Sequence, residues 1–189
     1  MATCSDTILT ENIDFCADQE NAAGVSSVEI FAARVQDFLT IAEPPALGTA
    51  TTLAEAATIA TAHTFDTGKG FFKINVMPNT GLVDFENQGE PGGKTNVNSF
   101  SGTLPGISAR NKGFIRKYQN VGMIFIVTQI NGDKVQIGSK VSPAYLTEAP
   151  GTSGQKAGDV SGIPVKFSDT QAYPAPTYAS TITEFTPAP

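Results

Sequence analysis

The sequence predicts a mainly β fold, a sandwich or barrel with one or two short helices, and three features predict it. Apolar and polar residues alternate strictly in several short runs, FFKINVM, KVQIG and GIPVKFSD among them. Pro-Gly, Asn-Gly and Gly-rich breaks separate these runs at the intervals expected of strand connections. Helical spacing, in contrast, is confined to two short stretches, residues 51–63 and 108–119. A chain of 189 residues suits one substantial domain. The expected division is an amino-terminal arm over residues 1–26, a single β-rich domain over 27–186 with loops at 87–94 and 150–162, and a short tail over 187–189.

Element by element, residues 1–24 are polar and acidic and lack a clear period. Residues 27–35 read as a strand with Val28 and Ile30 on one face, and a brief turn over 37–41 ends at Pro44-Pro45. Leu53, Ala56, Ala57 and Ala60 fit a short helix over residues 51–63 capped by Thr51 or Thr52, although the Thr content there also permits strand or loop. Phe72, Ile74 and Val76 then alternate with Lys73, Asn75 and Met77, a turn follows at residues 78–81, and Val83 and Phe85 continue on a second strand. The stretch QGEPGGK is read as a hairpin tip leading into a long polar strand over residues 94–104, with Phe100 and Leu104 on one face.

Pro105-Gly106 breaks that strand, and Ser108 is placed to cap a helix running to about Gln119. Phe114, Ile115 and Tyr118 share its apolar stripe, flanked by Arg110 and Lys117, while Lys112 and Arg116 point away. Gly113 in mid-helix makes its stability depend on docking. Residues 121–130 form an apolar run suited to a central strand, and Asn131-Gly132 suits a type I′ turn. On the return strand Val135, Ile137 and Val141 alternate with Lys134, Gln136 and Lys140, which predicts one covered and one open side. A further strand begins at Tyr145 and Leu146, Ile163, Val165 and Phe167 form another, and residues 178–185 give a last, Thr-rich one.

Charge and motif content narrow the function. The net charge of −6 and pI near 4.7 argue against general affinity for nucleic acid or anionic membrane surfaces. No apolar run approaches the roughly 20 residues of a membrane span, and MATCSDTILTEN lacks the basic and apolar regions of a secretory signal, so folding and assembly in a cytoplasm are expected. Cys4 and Cys16 are expected as free thiols there, with a disulfide the lesser alternative, and their spacing is not that of a zinc site. With only 16% charged residues, much of the surface must be uncharged Thr, Ser, Asn, Gln and Gly, which suits burial against identical neighbours.

Possible catalytic or ligand-binding motifs are weak. GEPGGKT misses the phosphate-loop spacing by one residue, since Gln88 stands where its first glycine belongs, and TNVNSFSG after it is poor helix material. His63 has no nucleophile motif beside it and is expected on the surface or in packing. Asp84, Glu86 and Glu90 lack calcium-loop spacing and are expected as a solvated acidic edge. Neither cofactor, metal nor catalytic residue is therefore assigned. The basic cluster Arg110, Lys112, Arg116 and Lys117 is the one local reversal of the chain's acidity, and salt bridges to the acidic amino-terminal region of a neighbouring copy are its expected role. Loop glycines Gly89, Gly92, Gly93, Gly154 and Gly158 complete the interface candidates.

The succession SFSGTLPG, SARNKGFIRKY, VGMIFIVTQINGDKVQIGSK, a Gly-rich loop and GIPVKFSDT resembles structural proteins of tailed phages, most of all tail tube (major tail) proteins. The likeness covers the layout of residues 27–178 and departs from it in lacking Trp, with Phe72, Phe114 and Phe125 in aromatic positions. It implies a β-sandwich of the tail-tube type that forms homo-oligomeric, hexameric rings stacked into a tube, contacts other virion proteins and lets DNA pass without binding it. The location implied is the virion tail, after assembly in the host cytoplasm. Two alternatives of other kinds are a capsid decoration or head-completion protein and a receptor- or glycan-binding module.

Overall fold

The computed structural model describes residues 24–154 and 161–185. Cys4, Cys16, Gly158, most of the expected arm and the expected tail lie outside them. In chain order the strands are β1 (Val25–Arg34), β2 (Phe38–Thr40), β3 (Thr58–Ile59), β4 (Thr64–Phe65), β5 (Phe72–Ile74), β6 (Leu82–Gln88) and β7 (Thr95–Pro105). After the helix come β8 (Met123–Gln129), β9 (Lys134–Ile137), β10 (Tyr145–Glu148), β11 (Gly162–Gln171) and β12 (Thr177–Tyr178). The helices are α1 (Leu53–Ala56) and α2 (Ala109–Tyr118). The chain is mainly β, 44% strand against 11% helix, as its alternation predicts.

Two sheets carry the architecture. One is six-stranded in the order β3-β12-β9-β8-β1-β5, the other four-stranded in the order β10-β11-β7-β6, and β2 and β4 pair separately. Every junction of the four-stranded sheet is antiparallel. β8 begins beside Ala144, at the β10 edge, while Val25 at the start of β1 abuts Gly81, which leads into β6 at the opposite edge.

Between the sheets Phe100, Phe125 and Phe167 are fully buried, with Phe125 4.5 Å from Phe167 and 5.7 Å from Phe100 between ring centroids. Each such ring contributes roughly 1.5–3 kcal/mol by leaving water. A second core covers the other face of the six-stranded sheet, where Phe31, Ile124 and Ile126 meet Phe71, Ile59 and Tyr178. This second layer explains why β8 reads as apolar on both faces: it is covered twice.

Several expectations are corrected. β1 starts at Val25, ahead of the expected boundary at residue 27. The helix expected over residues 51–63 shrinks to α1, a single turn capped by Thr52, because Thr58 and Ile59 are taken up by pairing with β12. The turn at residues 78–81 does not join two strands of one sheet; it carries the chain from β5 to β6 in the other sheet, with the Thr80 hydroxyl donating to Met77 O and accepting from Thr103 N–H. Asn131-Gly132 is not a type I′ turn. Gly132 N–H donates to Gln129 O and Gly132 alone has positive φ, 91°, giving a three-residue loop with a left-handed glycine. Val141 falls beyond β9 and is 89% exposed, whereas Gln136, expected on the open side, is buried. The last strand is only Thr177–Tyr178; beyond it Glu184 makes an isolated parallel bridge to Phe71. Among the described residues no helix is long and apolar enough to cross a membrane.

Candidate assembly surfaces

α2 is built as the sequence predicts. The Ser108 hydroxyl accepts from Asn111 N–H at 3.3 Å, and the Asn111 amide donates back to Pro105 O and Gly106 O, which fixes the strand-to-helix corner. Phe114, Ile115 and Tyr118 are half-buried against the inter-sheet core, Tyr118 stacking on Phe72 at 5.5 Å. Arg110, Lys112, Arg116 and Lys117 are exposed, and among the described residues none has a carboxylate within ion-pair distance. Arg116 and Lys117 occupy the last turn, where cations complement the helix dipole. Lys117 also lies 5.2 Å over the Tyr118 ring.

The other sequence candidates are not gathered beside this helix. Gly89, Gly92 and Gly93 sit in the β6–β7 hairpin tip, at the far end of β7, roughly 30 Å from α2 at about 3.3 Å per residue. Gly89 and Gly92 have φ of 100° and 94°, so these two positions serve the turn itself. Gly154 lies in the loop before β11 with φ 77°. Between that loop and α2 runs a groove of about 400 Å³ floored by Ile107, Ile115 and Ile163 and rimmed by Lys112 and Arg116. Asp84, Glu86 and Glu90 are all exposed on or beside the edge strand β6.

The four-stranded sheet offers a surface that sequence reasoning grasped only in part. Thr95, Val97, Ser99, Ser101 and Thr103 of β7 alternate with the inward residues Asn96, Asn98, Phe100 and Leu104, and across the ladder Pro164, Ser168 and Thr170 of β11 share their outward face. That outer face is mostly hydroxyl-bearing, with Val97 and Pro164 the apolar members of these two strands and Lys166 balanced by Asp84 and Glu86. Among the described residues both edges are unpaired, and both bear exposed apolar side chains: Leu82 and Phe85, 56% and 59% exposed, on β6, and Tyr145, 47% exposed, on β10. Such edges invite pairing with another chain. The signal was present in the alternation of residues 94–104, but which partner strand flanks which edge is not encoded locally.

Two buried polar groups were also missed. Asp169, 4% exposed, accepts hydrogen bonds from Gly138 N–H, from the Gln171 amide at 2.8 Å and from the Asn98 amide at 2.9 Å, and so ties β9 to the inner face of the other sheet. Burial pushes its pKa up, against the pull of those three donors. Asn98 Oδ1 and Gln171 Oε1 are buried and have no hydrogen-bond partner among the described residues. His63 accepts from Ala42 N–H at Nδ1, 3.0 Å, and donates from Nε2 to Gln136 Oε1, 2.9 Å, while stacking on Tyr178 at 4.8 Å. It is a packing residue, and Gln136 is buried to receive it. Both ring nitrogens are thus committed, and the Asp169 carboxylate is held by its three donors.

No protein-family model, no curated protein and no solved structure matches the chain.

Proposed function

We propose that this chain is a virion structural protein, a tail tube subunit of a tailed phage, whose copies join through the edges of the four-stranded sheet into rings that stack into a tube. The observation that carries the reading is that sheet: open at both edges, apolar at both, and lined on its uncovered face mostly by hydroxyl groups. Edge-to-edge repetition converts such a sheet into a closed barrel, which removes the unpaired strands. The hydroxyl face then becomes a wet lumen. A lining with few cations gives DNA no counterion release to gain by binding, so nucleic acid slides past.

The same geometry favours a structural role over a catalytic one, because the buried titratable side chains are spent on hydrogen bonds within the fold. Low charge density eases burial of the surface between copies. Negative-stain microscopy of the concentrated protein tests the proposal directly, with and without an initiating complex from the virion. Rings or open-ended tubes with a central channel are expected. A species that stays monomeric by light scattering under both conditions overturns it.

A further inference from the structure

We infer that the β6–β7 hairpin tip, residues 89–93, docks into the isoleucine-floored groove beside α2 of a second copy, with Glu90 meeting the two cations of its rim. The inference deepens the tube reading, on which it rests for the second copy, by giving the contact that stacks one copy on the next. The groove has about 400 Å³ of space and no carboxylate lines it: Ile107, Ile115 and Ile163 form the floor, and Lys112 and Arg116 stand at the rim. Both cations are exposed, and neither has an ion-pair partner among the described residues. An apolar trough beside unpaired cations fits a short apolar group that carries a carboxylate.

The hairpin tip presents that chemistry. Glu90 and Pro91 are exposed at its apex, and Glu90 has no ion-pair partner among the described residues. Gly93 N–H donates to Glu90 O at 3.0 Å, and Gly89 and Gly92 take φ of 100° and 94°, so the turn is set before any contact is made. The pyrrolidine of Pro91 covers the isoleucines while Glu90 reaches the rim. Along the hairpin Asp84, Glu86 and Glu90 outweigh Lys94, which keeps the long-range field of the same sign as the apex. The hairpin at Asn131-Gly132 is a poorer occupant, because the Asp133 carboxylate already accepts from the Asn131 amide at 2.8 Å and Ile130 N–H is held by Gly24 O.

A second copy is the source because tip and groove stand at opposite ends of one strand. The hairpin enters β7 at Thr95, and the groove opens past Pro105, which pairs with Gly162 at the start of β11. The eleven residues of β7 hold the two ends roughly 33 Å apart at about 3.3 Å per residue. That strand is paired on both sides and cannot fold back, so each tip serves the groove of another copy. The contact is head to tail. Every copy that gives a tip still offers a groove, and the column stays open-ended. It runs along the strands, whereas the edges of β6 and β10 join copies across them.

The test uses the full chain with Cys4→Ser and Cys16→Ser, bearing either Gly93→Cys or Gln119→Cys. A Cβ at Gly93 meets nothing nearer than 4.0 Å, and Gln119 is an exposed residue of the groove, so both changes leave Glu90, Pro91 and the core untouched. Mild oxidation of the two chains in equal mixture is expected to link them to each other at least tenfold more than to themselves, read from the joined peptides by mass spectrometry. A chain carrying both thiols is expected to give a ladder beyond the dimer on a non-reducing gel. Glu90→Lys is expected to weaken the mixed link at least tenfold, and Lys112→Glu with Arg116→Glu on the other chain to restore it, with circular dichroism confirming that each variant is folded. No mixed link, or self-links in equal yield, overturns the docking, and a mixed link indifferent to Glu90→Lys overturns the recognition of its carboxylate. Microscopy of the same samples separates the two readings. Tubes without the mixed link overturn the docking alone, a ladder without tubes upholds the docking and removes the tube, and neither ladder nor tubes overturns both.

Discussion

His63 must accept at Nδ1 and donate at Nε2, and only the neutral imidazole does both. Burial lowers its pKa below the ordinary value, with the Gln136 bond opposing in part. As pH falls, the unfolded chain therefore takes up the proton first. The stabilisation is complete above pH ~6.5 and is lost as pH drops through the folded-state value, with a slope of at most about 1.4 kcal/mol per pH unit. Denaturant titrations of His63→Gln are expected to lose this slope beside the parent chain; equal slopes would sink the assignment. Gly132 supplies a second residue-level prediction. A Cβ there meets nothing within 4 Å, so Gly132→Val acts only through its φ of 91° and is expected to lower stability by about 1–3 kcal/mol in the denaturation midpoint. The glycine was legible from the Asn-Gly pair. The burial of Gln136 was not, because alternation marks a polar residue as outward unless its partner is known, and His63 lies 73 positions away.

Among elements, those with a strong local period were readable: β7, β8, β9, β11 and α2 lie close to where the alternation and the Ser108 cap place them. The segments between Val35 and Phe71 and after Gln171 were not, since their short strands exist only by pairing with distant chain, as Thr58 does with Thr177. The turn before β6 was legible as a turn, but the change of sheet it makes depends on Thr80 meeting Thr103. For the candidate surfaces, the cations of α2 could be named from sequence, whereas the exposed edges of β6 and β10 required the strand order. Phe85→Glu, on the β6 edge, is expected to abolish ring formation while leaving the circular dichroism spectrum intact, since the side chain is already exposed. The double change Arg116→Glu and Lys117→Glu is expected to reduce sedimenting polymer with the fold retained, because exposed single charges contribute little to stability. Normal tubes in that variant would refute an interface role for the helix.

For the whole molecule, the proposed pairing of the basic α2 face with an acidic neighbour predicts that assembly weakens as salt rises from about 50 to 500 mM, where the Debye length falls well below 10 Å. Sedimentation across that range checks it, and salt-independent polymer would leave edge pairing as the sole driving contact.

The four-stranded sheet has an even number of strands, each antiparallel to the next. Its two outer strands therefore run in opposite directions. When copies repeat around an axis without turning over, β6 of one meets β10 of the next head to tail, and the alternation passes through every seam unbroken. A sheet with one strand more or fewer would place like directions together at each seam, forcing a parallel junction into an otherwise antiparallel wall. Parity alone thus makes the joint between copies chemically equivalent to the joints within one, and any number of copies preserves it.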